Sequence, residues 1–239
     1  LGVKHNPSHP LSYGLVGHWI MNESGGLTAY DLSGNGNHGT LTNGPTWTQG
    51  QFGAALNFDG VDDYVTISRN AIPLPASMTC WIKLSSLGNY PVFFSHDSAA
   101  NDGYRMQLIV DSGVLAFTLG LVGDYISTLP AIPLATWTFV GFSATGNGGT
   151  VTEFINSSTY STSIGTVRGT PTLVTIGNRG LVDQAFPGLI DDVRFYDRAL
   201  SAGEISLLYT HPFADMMPIR RVIGKAVTAG TPDSTEFFA

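Results

Sequence analysis

Apolar and polar positions are spaced most clearly between Phe186 and Tyr209. Leu189, Val193 and Phe195 fall on one side of an alternating run and Ile190, Arg194 and Tyr196 on the other, the spacing of a strand covered on both faces. Ser201 and Glu204 then form a Ser-x-x-Glu capping box, with Leu200 and Ile205 placed to close a hydrophobic staple around it, so the strand runs directly into a short helix. By the same parity Asp191 belongs with Leu189, Val193 and Phe195. An unpaired carboxylate in apolar surroundings is costly, so Asp191 requires a partner from another part of the chain.

The rest of the chain repeats the strand signal about every ten residues. A first strand spans residues 14–21, followed by a turn-rich stretch, Asp31-Leu32-Ser33-Gly34-Asn35-Gly36-Asn37-His38-Gly39, whose Gly and Asn residues suit positive φ and side-chain-closed turns. Further strands are expected at 54–58 and 64–68, and near 76–85, 91–96, 104–110, 113–119, 124–128, 136–144, 150–156, 159–165 and 173–177. Many short strands with explicit turn signals between them describe an all-β sandwich of two sheets with one C-terminal helix.

Composition narrows the partners. At 239 residues the chain is long enough for one domain with a sizeable core. Net charge −7 argues against nucleic acid, which selects basic surfaces. No apolar run reaches the ~20 residues of a membrane span. The lone Cys80 excludes an internal disulfide framework and reads as a packed core thiol.

The ordered set Gly14-Leu15-Val16-Gly17-His18-Trp19, the Asp31–Gly39 turn, Phe52-Gly53-Ala54-Ala55-Leu56-Asn57-Phe58-Asp59-Gly60, Asp62-Asp63-Tyr64-Val65, Thr79-Cys80-Trp81-Ile82, Trp137-Thr138-Phe139-Val140 and Ile190-Asp191-Asp192-Val193-Arg194 with Arg198-Ala199-Leu200-Ser201 resembles the laminin-G-like, concanavalin A-type jelly-roll family. The resemblance covers roughly residues 14–209, with an arm at 1–13 and a tail at 210–239. It implies two antiparallel sheets in which the first and last strands lie side by side. It also implies a structural calcium ion on Asp59 and Asp191, completed by Asp62 and main-chain carbonyls near Gly60; Asp and Gly at a turn supply the oxygen donors calcium takes. The alternative is that Asp59 and Asp191 only cap turn amides and bond to neighbouring strands.

The chain carries little that suits catalysis. Glycanases of this fold need two carboxylates across the scissile bond, yet Glu occurs only at 23, 153, 204 and 236, and Glu204 is occupied by capping. Asp62-Asp63 and Asp191-Asp192 are sequence neighbours, so their side chains diverge. The six His residues show no metal-binding spacing and no nucleophile elbow is present. A non-enzymatic protein is expected.

Two such roles remain. In the first, the arm and tail make the chain a structural or adhesion subunit on a cell or virion surface, in contact with copies of itself or with other surface proteins. The Asn6-Pro7 entry and the Tyr209-to-Phe213 exit resemble single-domain laminin-G-like proteins of phage and prophage, and Met216, Met217, Ile219, Phe237 and Phe238 are the apolar side chains for such contacts. The tail wrapping its own domain is the competing reading. In the second role the sandwich binds glycans through Tyr90, Tyr104, Tyr125 and Phe186, placed in or near loops. Trp19, Trp81 and Trp137 sit at core positions; Trp47 is undecided.

Overall fold

A computed structural model describes residues 3–68, 74–97, 103–167, 173–179 and 184–218. In chain order the strands are β1 (Val3–His5), β2 (Leu15–Trp19), β3 (Thr28–Ala29), β4 (Gly39–Thr42), β5 (Thr46–Gln49) and β6 (Ala54–Asp59). Next come β7 (Tyr64–Ser68), β8 (Ala76–Leu84), β9 (Val92–Asp97), β10 (Gly103–Leu108), β11 (Leu115–Leu119) and β12 (Gly123–Ile126). The chain continues through β13 (Trp137–Ala144), β14 (Thr150–Ile155), β15 (Ser158–Ser163), β16 (Leu173–Ile176) and β17 (Pro187–Tyr196), then helix α1 (Ala202–Thr210) and β18 (Met216–Pro218).

Two antiparallel sheets face each other. One runs β12-β11-β10-β9-β16-β7-β4-β3 and the other β15-β14-β13-β8-β17-β6-β5. Strand β17 is the spine of the second sheet: its first half pairs with β6 and its second half with β2, which sets the first and last long strands side by side. The core between the sheets is aromatic. Phe94, Tyr104, Phe117, Phe142 and Phe195 meet in stacked, tilted or edge-to-face pairs at ring separations of 4.8–6.5 Å, contacts that add to their area burial. A second apolar cluster lies on the outer side of the β17 sheet, where α1 brings Ile205 and Leu208 against Trp81, Phe139, Phe154 and Tyr196. The capping box is present, with Leu200 and Ile205 both buried in that cluster.

The strict alternation expected along β17 does not hold. Asp192 takes a positive φ of 46°, and the register with β8 slips between Asp191 and Arg194, a β-bulge that inserts one residue. Ile190, Val193 and Phe195 therefore enter the core, while Asp191 pairs with Trp81 and Arg194 with Thr79 on the outer face. No helix among the described residues is long and apolar enough to cross a membrane.

Arm and tail meet each other. β1 pairs with β18, His5 opposite Met216, and half-buried Met216 is thus held by its own chain. The side chain of Met217, and Ile219, Phe237 and Phe238, lie outside the described residues.

Candidate functional site

The turn from Asp31 to Gly39 satisfies itself. Asp31 Oδ1 accepts from the amides of His18 and Ser33 (2.9 and 2.8 Å), and Oδ2 from Ser33 Oγ and the Asn37 amide (2.8 and 2.9 Å). Asn35 and Asn37 donate to the Val16 carbonyl at 3.1 and 2.7 Å. These polar groups clasp the loop to β2, which fits the polar-group accounting of a buried turn.

Asp191 has a different partner from the one the family resemblance implied. It is fully buried, and its Oδ2 accepts from the amides of Gln51 (2.9 Å) and Phe52 (3.1 Å) in the β5–β6 turn. Burial, reinforced by Asp192, pushes its pKa up to about 7 against the pull of those amides, and Oδ1 has no partner. Asp59 lies elsewhere: it pairs with Pro187, four residues back along β17, or about 13 Å at strand rise. A shared calcium site on Asp59 and Asp191 is therefore excluded by the register.

Asp59 and Asp62 do come together, with Asp63 as a third member. Carboxylate oxygens of the three lie within 4.8 Å of one another. Asp59 Oδ1 accepts from the Val61 amide (2.8 Å), Asp63 Oδ2 from the Asp59 amide (2.9 Å), and Gly60 makes the turn between them at φ 79°. Burial, with Asp59 and Asp62 adding to it, raises the Asp63 pKa despite the amide it accepts. This donor set fits a hard, oxygen-seeking cation such as calcium.

The four expected ligand-binding aromatics separate. Tyr104 is fully buried against Phe117 and Phe142, and Phe186 against Phe93; both are core, because the strand and turn that carry them point them inward. Tyr125 is half-buried and its hydroxyl accepts the Gly165 amide at 2.7 Å, tying strand β12 to the segment after β15. Tyr90 is half-exposed in the loop before β9.

The aromatic that does line an open groove is Trp47. It stands half-buried on edge strand β5, with one side on the core. With Ser24, Thr48, Gln49, Gly53 and Ala54 it encloses a groove of about 280 Å³. The walls are pinned from several directions. Trp47 Nε1 donates to the Gly26 carbonyl (2.9 Å), and Asn22 accepts from the Ala54 amide (2.6 Å) and donates to the Phe52 carbonyl (3.3 Å). Asp191 holds the turn from beneath. Gly53, at φ 129°, leaves room for Asn22, whose Oδ1 a Cβ there would meet at 2.3 Å. Ser24, Thr48 and Gln49 are exposed, so a preformed indole edge sits among free hydroxyl and amide groups.

These features meet known proteins at the level of family and fold. The sequence matches the model of the concanavalin A-like lectin/glucanases superfamily over residues 59–206, and the chain belongs to that family. No curated protein matches it. Among solved structures, domain 4 of AbnA, a GH43 extracellular arabinanase of Geobacillus stearothermophilus solved with arabinotriose, superposes at TM-score 0.68 with 23% identity, covering 82% of this chain and 98% of that one. The binding domain of Paraclostridial Mosquitocidal Protein 1 gives 0.67 and 19%, covering 85% and 53%. The binding domain of botulinum neurotoxin DC, in complex with rat synaptotagmin II, gives 0.62 and 16%, covering 83% and 52%. This chain thus spans nearly all of the first and about half of the other two, and all three share its fold.

Proposed function

We propose that this protein is a non-catalytic carbohydrate-binding module that works outside the cell or at its surface, and that a neutral sugar ring stacks on Trp47 in the β5–β6 groove. The carrying observation is that half-buried indole, fixed by its bond to Gly26 and bordered by the exposed Ser24, Thr48 and Gln49. Binding sites of this kind combine an apolar surface with a few placed polar groups. Support comes from the lectin-containing family and from the arabinotriose complex of a domain with the same fold. The competing role, a virion or surface assembly subunit, rests on an arm and tail that dock on neighbouring subunits rather than on their own domain. Their described parts are spent on their own domain, which favours the binding module. A calcium ion on Asp59, Asp62 and Asp63 is proposed as a structural brace of the β6–β7 turn.

Calorimetric titration with arabinotriose and a panel of neutral oligosaccharides tests the reading. Trp47→Ala and Gln49→Ala are each expected to weaken the best ligand at least tenfold, about 1.4 kcal/mol. Gln49 is exposed, so its variant is expected to melt like the wild-type chain; unchanged affinity in Gln49→Ala together with Trp47→Ala, each checked by its melting curve, would overturn it.

A further inference from the structure

A second groove lies on the outer face of the β17 sheet. Cross-strand register lines up Thr46, Asn57, Leu189, Lys83 and Trp137 on adjacent strands β5, β6, β17, β8 and β13. Directly opposed residues project from the same side of a sheet, so these five side chains form one continuous row. Asn57, Lys83 and Leu189 line a groove of about 270 Å³ with Leu84, Ser85 and Ala135 at its end. Trp137 flanks Lys83, half-buried against the outer aromatic cluster.

The lysine is what makes this row unusual. Arg194 and Arg198 are both spent on carboxylates, and Arg105 and Arg179 each have interactions of their own. Among the described residues Lys83 has no ion-pair partner. It is half-buried near the end of β8, next to Leu84, in a chain of net charge −7. An uncompensated ammonium between an indole and a leucine, with an amide one strand further on, is complementary to a ligand that carries one negative charge on an otherwise hydroxylated ring. A phosphate, with more charge in one place, is matched best by several donors or a forked guanidinium, and this row offers a single cation.

We infer that the Asn57–Leu189–Lys83–Trp137 row binds a carboxylated sugar of the uronic-acid class. The ring stacks on Trp137, the carboxylate pairs with Lys83, and Asn57 and Ser85 bond to ring hydroxyls. The site is separate from the Trp47 groove and does not depend on it.

The test is calorimetry at low salt with a disaccharide of one galacturonic acid and one neutral sugar and with its methyl ester, which keeps the rings and removes the single charge. The wild-type chain is expected to prefer the acid by about tenfold, in keeping with one charge-assisted contact, and high salt should erode the preference. Lys83→Gln, checked for an unchanged melting curve, should abolish the preference, while Trp47→Ala should leave it intact. Equal affinity for acid and ester, no binding of either, a preference that survives Lys83→Gln, or one lost in Trp47→Ala would each overturn the inference.

Discussion

His5 Nε2 lies 2.9 Å from His18 Nδ1, and this one contact joins the two halves of a buried network. His18 Nε2 bonds to Asp192 Oδ1 at 2.5 Å and His5 Nδ1 to Asp215 Oδ2 at 2.6 Å. Arg194, also fully buried, reaches both oxygens of Asp215 at 3.0 Å, Asp192 at 3.4 Å and the Pro212 carbonyl. Burial, with Arg194 beside it, lowers the His18 pKa to about 4, so His18 is neutral and its Nδ1 accepts from His5. Burial works against the charged forms of Asp192 and Asp215, but their His and Arg partners outweigh it and hold both below the usual carboxylate range. Each carboxylate thus faces both the guanidinium and an imidazole, so neither is left unpaired in a dry site.

Breaking this ring should be expensive. Asp215→Ala leaves Arg194 and His5 without their shared acceptor, and a loss of about 3–5 kcal/mol is expected from urea denaturation. The same variant should unpin the β1–β18 pair, read as faster amide exchange at residues 3–5 and 216–218.

Acid should act through His18. Its folded pKa of about 4 lies below the unfolded value near 6.5, so the unfolded chain binds the extra proton first. Stability from this group is complete above pH 6.5 and lost as pH falls toward 4. His18→Gln should be less stable at pH 7 but show a shallower decline between pH 6.5 and 4, measured by denaturation at several pH values.

Two buried carboxyl groups act in the opposite sense. Burial raises Glu153 to about 8, and Asp191 reaches about 7. Neither oxygen of Glu153 has a side-chain partner, though the Phe117 amide pulls weakly against the shift. Both groups are raised above their unfolded values, so the stability linked to them is full below about pH 4 and lost as pH rises through 7 to 8. Glu153→Gln keeps the shape without the charge. It is expected to stabilise the protein at pH 8 by roughly 1–4 kcal/mol and to leave pH 5 little changed.

Calcium should raise the melting temperature if Asp59, Asp62 and Asp63 hold it, because a ligand bound only by the folded state adds stability by mass action. The expected result is a rise of a few degrees with millimolar calcium, reversed by chelator. Asp62→Asn should abolish the response. An unchanged melting curve in the wild-type chain would remove the ion from the turn.

Ser201→Ala removes the acceptor for the Glu204 amide and should cost about 1 kcal/mol. Arg198→Ala should cost more, since its guanidinium joins Glu204 (2.6 Å) to the carbonyls of Pro10 and Tyr13 in the arm. Thermal melts of the two variants check the order.

Much of this molecule is legible in its residues because local chemistry dictates it. The Ser201–Glu204 box, the turn at Asp31 and the strand spacing all depend on near neighbours, and they determine a two-sheet sandwich ending in one helix. The demand of Asp191 for a partner was equally legible. Its satisfaction by the amides of Gln51 and Phe52 was not, nor was the grouping of His5 and His18 with Asp192, Arg194 and Asp215. Those outcomes depend on one bulge at Asp192 and on contacts between segments up to 210 residues apart. A single inserted residue reverses which side chains face the core, and strand alternation carries no mark of it. The same holds for Trp47 and Lys83: Trp47 is undecided from the sequence and Lys83 reads as an ordinary strand residue until the pairing of β5 with β6, and of β8 with β13 and β17, decides which surface each shares. The sequence by itself determined the architecture, and only the tertiary register decided where its chemistry lies.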